Sequence, residues 1–239
     1  MPQKHIVMPT LSIDNTDIEC VDEFNFLGIT IHKHLKWDPH ISIISRKIAS
    51  AIGIIYKLKH VFPTNILITL YNTLILSYMH YGILLWGYNS NRIYLLQKKA
   101  IRTITLSKYL SHTEPIFKRL NKLKIEHIFV LSQLKFCFKL VNNLLPEYFK
   151  CITPIRHQEI HQHRTRNRDN FNSHRVAHVF AEKCIRFSVP HLLNDTCRSI
   201  TDKIYTHSFN GFVKYVKHHF LNNYSDHYSI RRCYVCQGN

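Results

Sequence analysis

The stretch Trp37–Pro63, WDPHISIISRKIASAIGIIYKLKHVFP, decides what kind of protein this is. Its apolar residues Ile41, Ile44, Ile48, Ala51, Ile52, Ile55 and Leu58 recur at steps of three and four, the spacing of one helix face. Asp38 before Pro39 reads as a helix opening. The Asp is an N-cap, and the proline sits at the first helical position, where its missing N–H costs nothing. Phe62-Pro63 closes the helix, and Pro63 can open the next. Arg46, Ser50, Gly53 and Lys57 fall together on one face, with Lys47 and Lys59 adding to its charge. Small residues between cations let a phosphate backbone come close to a helix.

The helical period continues toward the C-terminus. A second helix is expected from Pro63 to about His80, with a break near Tyr81-Gly82. A third runs from about Arg92 to Leu106. Thr113-Glu114-Pro115 reads as a cap whose threonine hydroxyl serves a free N–H. A short helix near 115–121 follows, then a longer one near 125–144 stopped by Pro146. Ile66–Trp86 is apolar enough to raise the question of a membrane span. However, Asn65, Thr69, Asn72, Thr73, Ser77 and His80 form a polar stripe that a lipid-facing helix lacks, so no membrane is expected.

Toward the N-terminus the period is that of strands. Leu11 and Ile13 alternate with polar residues, an Asn-Thr-Asp turn follows, and then Ile18 and Cys20. Phe24–Ile31, FNFLGITI, is aromatic and β-branched, with Gly28 expected as a bulge or close-approach point. Residues 1–38 are therefore expected to be a β-hairpin unit and 39–149 a basic helical domain. Residues 150–175 read as a basic linker, and 176–239 as a small C-terminal unit with a closing helix. The fold class is mainly α, with a small N-terminal β-hairpin and a smaller C-terminal α/β unit.

The 239 residues hold 32 Lys+Arg against 15 Asp+Glu, a formal charge of +17 before the 18 His are counted. With 45% apolar residues the chain can still bury a core. The charge is uneven. Residues 1–39 hold 3 cations and 6 acids, and residues 40–125 hold 13 cations and one acid, Glu114. So basic a segment has almost no internal partners, and a polyanion is the favourable outlet for its field. Besides the first helix, Lys98, Lys99 and Arg102 form a cluster opposite Ile93, Leu96, Ala100 and Ile104. Lys118, Arg119, Lys122 and Lys124 form another. His161–Asn170, HQHRTRNRDN, places Arg164 and Arg166 on a phosphate-tracking loop that also serves as an exposed connector.

Catalytic signatures are absent from the sequence. There is no GxGxxG, Walker loop, GxSxG, HExxH or HxD, and no adjacent pair of Asp. Cys233 and Cys236 make a CxxC with His218, His219 and His227 upstream. A structural zinc takes four ligands and no second pair stands at the expected spacing, so no metal or other cofactor is expected. Seven scattered Cys and a start without an uninterrupted apolar run predict reduced thiols and an intracellular protein, in cytoplasm or nucleus.

Six ordered segments carry a family resemblance. They are FNFLGITIHKHLKWDPHI (24–41), RKIASAIGIIYKLKHVFP (46–63), LYNTLILSYMHYGILLWG (70–87), LQKKAIRTIT (96–105), HTEPIFKRLNKLKI (112–125) and FKLVNNLLPEYF (138–149). Together they resemble the C-terminal part of the reverse transcriptase of non-LTR retrotransposons of the jockey-like or chicken-repeat type. HQHRTRN (161–167) is similar to that family's His-x-Tyr-x-Thr-Arg segment, and SFNGFVKYVKHHFLNNY (208–224) to its closing helix. The resemblance implies that Phe26, Leu27 and Gly28 form the hairpin at the end of the palm that grips the primer. It implies that residues 40–145 are the helical thumb and the region after it, holding a primer–template duplex of RNA or DNA. The family's catalytic aspartates lie N-terminal to that hairpin, and its endonuclease lies elsewhere. This chain is therefore expected to be a truncated copy without polymerase activity, its apolar surface at Phe24, Phe26 and Trp37 partly uncovered. The family's Gly-Pro-x-Leu-Trp-Asn-x-Leu-Pro is altered here to Val189-Pro190-His191-Leu192-Leu193-Asn194-Asp195-Thr196-Cys197.

Residues 40–86 are also similar to the segment labelled the N-terminal domain of AlkB-homologue tRNA hydroxylase–methyltransferases. That likeness would imply methyltransferase or 2-oxoglutarate-dependent dioxygenase chemistry. The chain lacks the HxD, the glycine-rich methyl-donor loop and the jelly-roll strand pattern such chemistry requires. A helical interaction module without activity is the remaining alternative.

Overall fold

The computed structural model describes residues 11–160, 163, 166–173, 184–196 and 198–222. It comprises two compact units, Met1–His40 and Ile41–Asn239.

The N-terminal unit holds two antiparallel hairpins. β1 (Ser12–Ile13) pairs with β2 (Thr16–Asp17), and β3 (Glu23–Phe26) with β4 (Ile29–His32). Each turn is made by two residues with positive φ: Asp14 (49°) with Asn15 (62°), and Leu27 (48°) with Gly28 (79°). Successive positive-φ residues match the right-handed twist of the flanking strands, which is why two-residue hairpins use them. Two expectations are thereby corrected. The first turn lies at Asp14-Asn15, leaving Thr16 and Asp17 in a strand. Gly28 is a turn residue rather than a bulge. Lys33 and Asp22 close the second hairpin with a 2.7 Å ion pair and a 2.8 Å backbone bond. The Thr30 N–H donates to Nδ1 of buried His40. Phe24 and Phe26 are exposed and Trp37 is half-buried, as expected.

The second unit is helical, and it begins within α1 (Asp38–Leu58), which buries Ile41, Ile44, Ile48, Ala51, Ile52 and Ile55. Next comes α2 (Thr64–Tyr71), then a π-helical turn at Asn72–Leu76, then α3 (Ser77–His80). Leu67, Tyr71, Ile75 and Met79 face the core. The polar stripe satisfies itself: the Thr69, Thr73 and Ser77 hydroxyls donate to the carbonyls of Asn65, Thr69 and Thr73 at 3.1, 3.0 and 2.6 Å. The chain breaks where expected, at Gly82 with φ 60°, before α4 (Ile83–Trp86) and a 3₁₀ turn at Gly87–Asn89. Among the described residues no single helix is long and apolar enough to cross a membrane. Thr64–His80 and Ile83–Asn89 pass that test only together, and they are bent by 59°.

α5 (Asn91–Ile104) and α6 (Glu114–Arg119) lead to α7 (Ile125–Val141), the central helix. α7 is apolar on nearly all sides because it is surrounded. Ile125, Ile128, Phe129, Val130, Leu131, Leu134, Cys137, Phe138 and Leu140 are all buried. Gly87 passes so close to Phe129 that a β-carbon there would strike its ring. The expected threonine cap is absent. Thr113 has helical angles (φ −88°, ψ −18°), where a capping side chain needs extended ones, and Pro115 removes one of the N–H groups it would serve.

Beyond α7 lie a 3₁₀ turn at Glu147–Ile152, α8 (His157–Ile160), α9 (Ile185–Asp195), α10 (Arg198–Thr206) and α11 (Phe209–Asn222). The expected linker is folded in its described part. Arg156 and Phe171 form a β-bridge, flanked by His157 N–H to Asn170 C=O (2.9 Å) and Asn172 N–H to Ile155 C=O (2.8 Å). The Asn194 side chain clamps buried Phe171, accepting from its N–H at 2.8 Å and donating to its C=O at 2.9 Å. α9 and α11 pack on α7, so the C-terminal helices share one core with the basic helices. Apart from that bridge, the described C-terminal residues are helices and turns.

One buried group makes this core acid-sensitive. His127 on α7 stacks on Phe220 of α11 at 5.0 Å between ring centroids. Burial, helped by the field of Lys124, lowers its pKa from 6.5 to about 3. Between those two values the unfolded chain binds a proton that the folded chain refuses. The contribution is full above about pH 6.5 and is lost as pH falls toward 3, by up to about 1.4 kcal/mol per unit. Urea titrations from pH 7 to 4 are expected to show this decline, and His127→Phe to reduce it. His80 and His219, also shifted down by burial, leave a residual slope of the same sign.

Candidate nucleic-acid interface

The polar face of α1 is as open as its composition suggests. Arg46, Lys47, Ser50, Gly53 and Lys57 are exposed, and a methyl group on Gly53 would meet nothing within 4 Å. Lys47 lies 5.3 Å from the Tyr78 ring, which seats it against α3. Lys59, in the turn after α1, lies 3.9 Å from the Tyr56 ring.

On α5 the buried face is Ile93, Gln97, Ala100, Ile101 and Ile104, with Leu96 only half-buried. A glutamine therefore occupies the core position expected for a leucine. Gln97 donates to the Tyr71 hydroxyl and to the Leu123 carbonyl, and accepts from the Ile125 N–H, each at 2.9 Å. Lys98, half-exposed, lies 4.3 Å from the Tyr94 ring, and Lys99 is exposed. Arg102 has a structural task as well. Its Nε and Nη2 donate to the Ser111 carbonyl at 3.0 and 2.9 Å, fixing the 105–111 loop and leaving other N–H groups for a ligand.

The ends of α1 and α5 enclose a cleft of about 350 Å³ lined by Tyr56, Lys59, His60, Lys99, Arg102, Thr103, Leu106, Ser107 and Tyr109. Lys59 from the first helix's cluster meets Lys99 and Arg102 from the second here, and among the described residues none that lines the cleft is acidic. Tyr56 and Tyr109 were not anticipated. The available signal was Tyr56 set beside Lys57 and Lys59, an aromatic interleaved with cations.

The third cluster divides. Lys118 and Arg119 are exposed on α6. Lys122 is half-buried and donates to Asn72 Oδ1 at 2.8 Å. Lys124 is buried, so it belongs to the core rather than to an open face. Its field and that of Lys98 act on Glu126, where burial is the larger influence and raises the carboxyl's pKa. Elsewhere Lys135, Lys139 and Lys217 share a neighbourhood that the sequence did not single out. Burial and the fields of Lys139 and Lys217 lower the pKa of Lys135. Burial and Lys217 do the same to Lys122.

Arg166 is exposed, whereas Arg164, Cys233 and Cys236 lie outside the described residues. Phe26, Leu27 and Gly28 form the tip of the second hairpin of the N-terminal unit, with Leu27 74% exposed. Among the described residues no group of three His, Cys, Asp or Glu side chains could hold a metal ion. No family model, curated protein or solved structure matches this chain.

Proposed function

We propose that this chain is a nucleic-acid grip. Its helical unit holds a sugar–phosphate backbone on the α1 face and in the α1–α5 cleft. The observation that carries this reading is the meeting of Lys59, Lys99 and Arg102 in a cleft with no carboxylate among its described lining residues. Cations gathered without acids repel one another. Neutralisation by phosphate, with release of condensed counterions, relieves that repulsion. The exposed Arg46, Lys47 and Lys57 extend the positive surface along α1, where Gly53 leaves the helix open to close approach. The six-segment resemblance supports reading this grip as the thumb side of a non-LTR reverse transcriptase, with RNA or DNA primer–template as its ligand.

The test is a fluorescence-anisotropy titration of the purified chain with a labelled RNA–DNA hybrid. Binding at 50 mM salt that weakens steeply toward 200 mM, about fortyfold for three neutralised phosphates, is the expected result. Absence of binding at the lower salt would refute the reading.

A further inference from the structure

We infer that the α1–α5 cleft takes an unpaired nucleotide, its phosphate among Lys59, Lys99 and Arg102 and its base against Tyr56 or Tyr109. This rests on the nucleic-acid reading above and narrows it. A paired duplex turns phosphates outward and keeps its bases stacked inside. Cations alone would serve such a ligand. The cleft offers more than cations. Tyr56 is 60% exposed and Tyr109 80% exposed, and both rings line the same concave site. Large aromatic surfaces left in water beside cations are the parts from which single-strand binding surfaces are built, because every base has a face that stacks.

The cations are already set against these rings. Lys59 Nζ lies 3.9 Å from the Tyr56 ring centre and the Arg102 guanidinium 6.0 Å from that of Tyr109. A phosphate bound to either cation therefore holds its own nucleotide beside a tyrosine. The Arg102 bonds to the Ser111 carbonyl tie down the loop that carries Tyr109, which keeps that residue's backbone at the cleft. The volume of about 350 Å³ lies at the lower end of the range for small-ligand pockets, room for one nucleotide rather than a helix.

The experiment compares two probes on the full chain, a short labelled oligothymidylate and a blunt duplex, each titrated at low salt. The variants are Tyr56→Ala/Tyr109→Ala and Tyr56→Phe/Tyr109→Phe. The alanine pair is expected to lose about tenfold or more in affinity for the single strand and less than about twofold for the duplex. The phenylalanine pair keeps the stacking faces and is expected to bind the single strand like the parent. Equal losses on both probes, or an unchanged single-strand affinity in the alanine pair, would overturn the inference and leave the grip standing. Failure of the parent to bind either probe would overturn both.

Discussion

Replacing Lys57, Lys59 and Lys99 together by Glu is expected to weaken binding of an RNA–DNA hybrid on the order of a thousandfold. Each lysine is taken to make one charged contact with phosphate, worth about 1.5 kcal/mol, and three such contacts give that factor. Reversal adds repulsion to the loss, so the estimate is a lower one. The three ammonium groups sit at an open surface and in a cleft, so the helical circular dichroism and the melting temperature should stay near the parent values. Lys150→Glu is the control. Lys150 pairs with the neighbouring Glu147 at 3.0 Å on an exposed turn, away from the cleft residues in sequence. Lys150→Glu lowers the net charge by 2 and the triple variant by 6, so the comparison is made per substitution, and the control's effect on affinity should stay within about twofold. A loss of about tenfold per substitution in the triple variant beside a nearly silent Lys150→Glu would show that position, and not charge alone, governs binding.

The largest expected loss of stability comes from a polar residue. Gln97→Leu is nearly isosteric and would look harmless on an amphipathic helix. In this fold it strips partners from three groups at once: the Tyr71 hydroxyl, the Leu123 carbonyl and the Ile125 N–H. Tyr71 is fully buried, and burial raises its pKa to about 12, a sign of how dry the site is. Each buried group left without a bond costs about 1–3 kcal/mol, so the variant is expected to lose about 3 kcal/mol or more. Gln97→Glu keeps the acceptor for Ile125 but sets a buried carboxylate against the Leu123 carbonyl, and should cost at least as much as Leu at pH 7. Urea unfolding followed by circular dichroism measures both. A Leu variant as stable as the parent would mean that the Gln97 bonds do not tie α2, α5 and the start of α7 together.

The lysines of α1 and Gln97 of α5 mark what the sequence discloses and what it hides. The three- and four-residue spacing of Ile41, Ile44, Ile48 and Ile55 reports directly on α1, because a helix buried on one side must repeat that way. Pro63 and Gly82 similarly mark real breaks. Lys124 and Gln97 are hidden because periodicity assigns polar residues to the outside. The burial of Gln97 depends on partners distant in the chain, Tyr71 among them, that no local pattern displays. Phe171 is missed for a related reason. A lone aromatic in the run from Arg164 to Asn172 carries no period, and the bridge to Arg156 and the Asn194 clamp are what hold it in the core. Thr113 misled through residue type alone, since capping also depends on backbone angles that Pro115 and the chain around it determine. At the candidate interface the exposed face of α1 was legible. The cleft was not, because Lys59 and Lys99 come together only when α1 and α5 pack.

The salt dependence of hybrid binding, measured for the parent and for Lys57→Ala/Lys59→Ala/Lys99→Ala, tests the grip most directly. Each phosphate contact contributes about −0.9 to the slope of log affinity against log salt. The account predicts a steep parent slope that becomes shallower by about 2.7 in the triple variant. An identical slope in the two proteins would place the bound backbone somewhere other than α1 and the α1–α5 cleft, and would contradict the account.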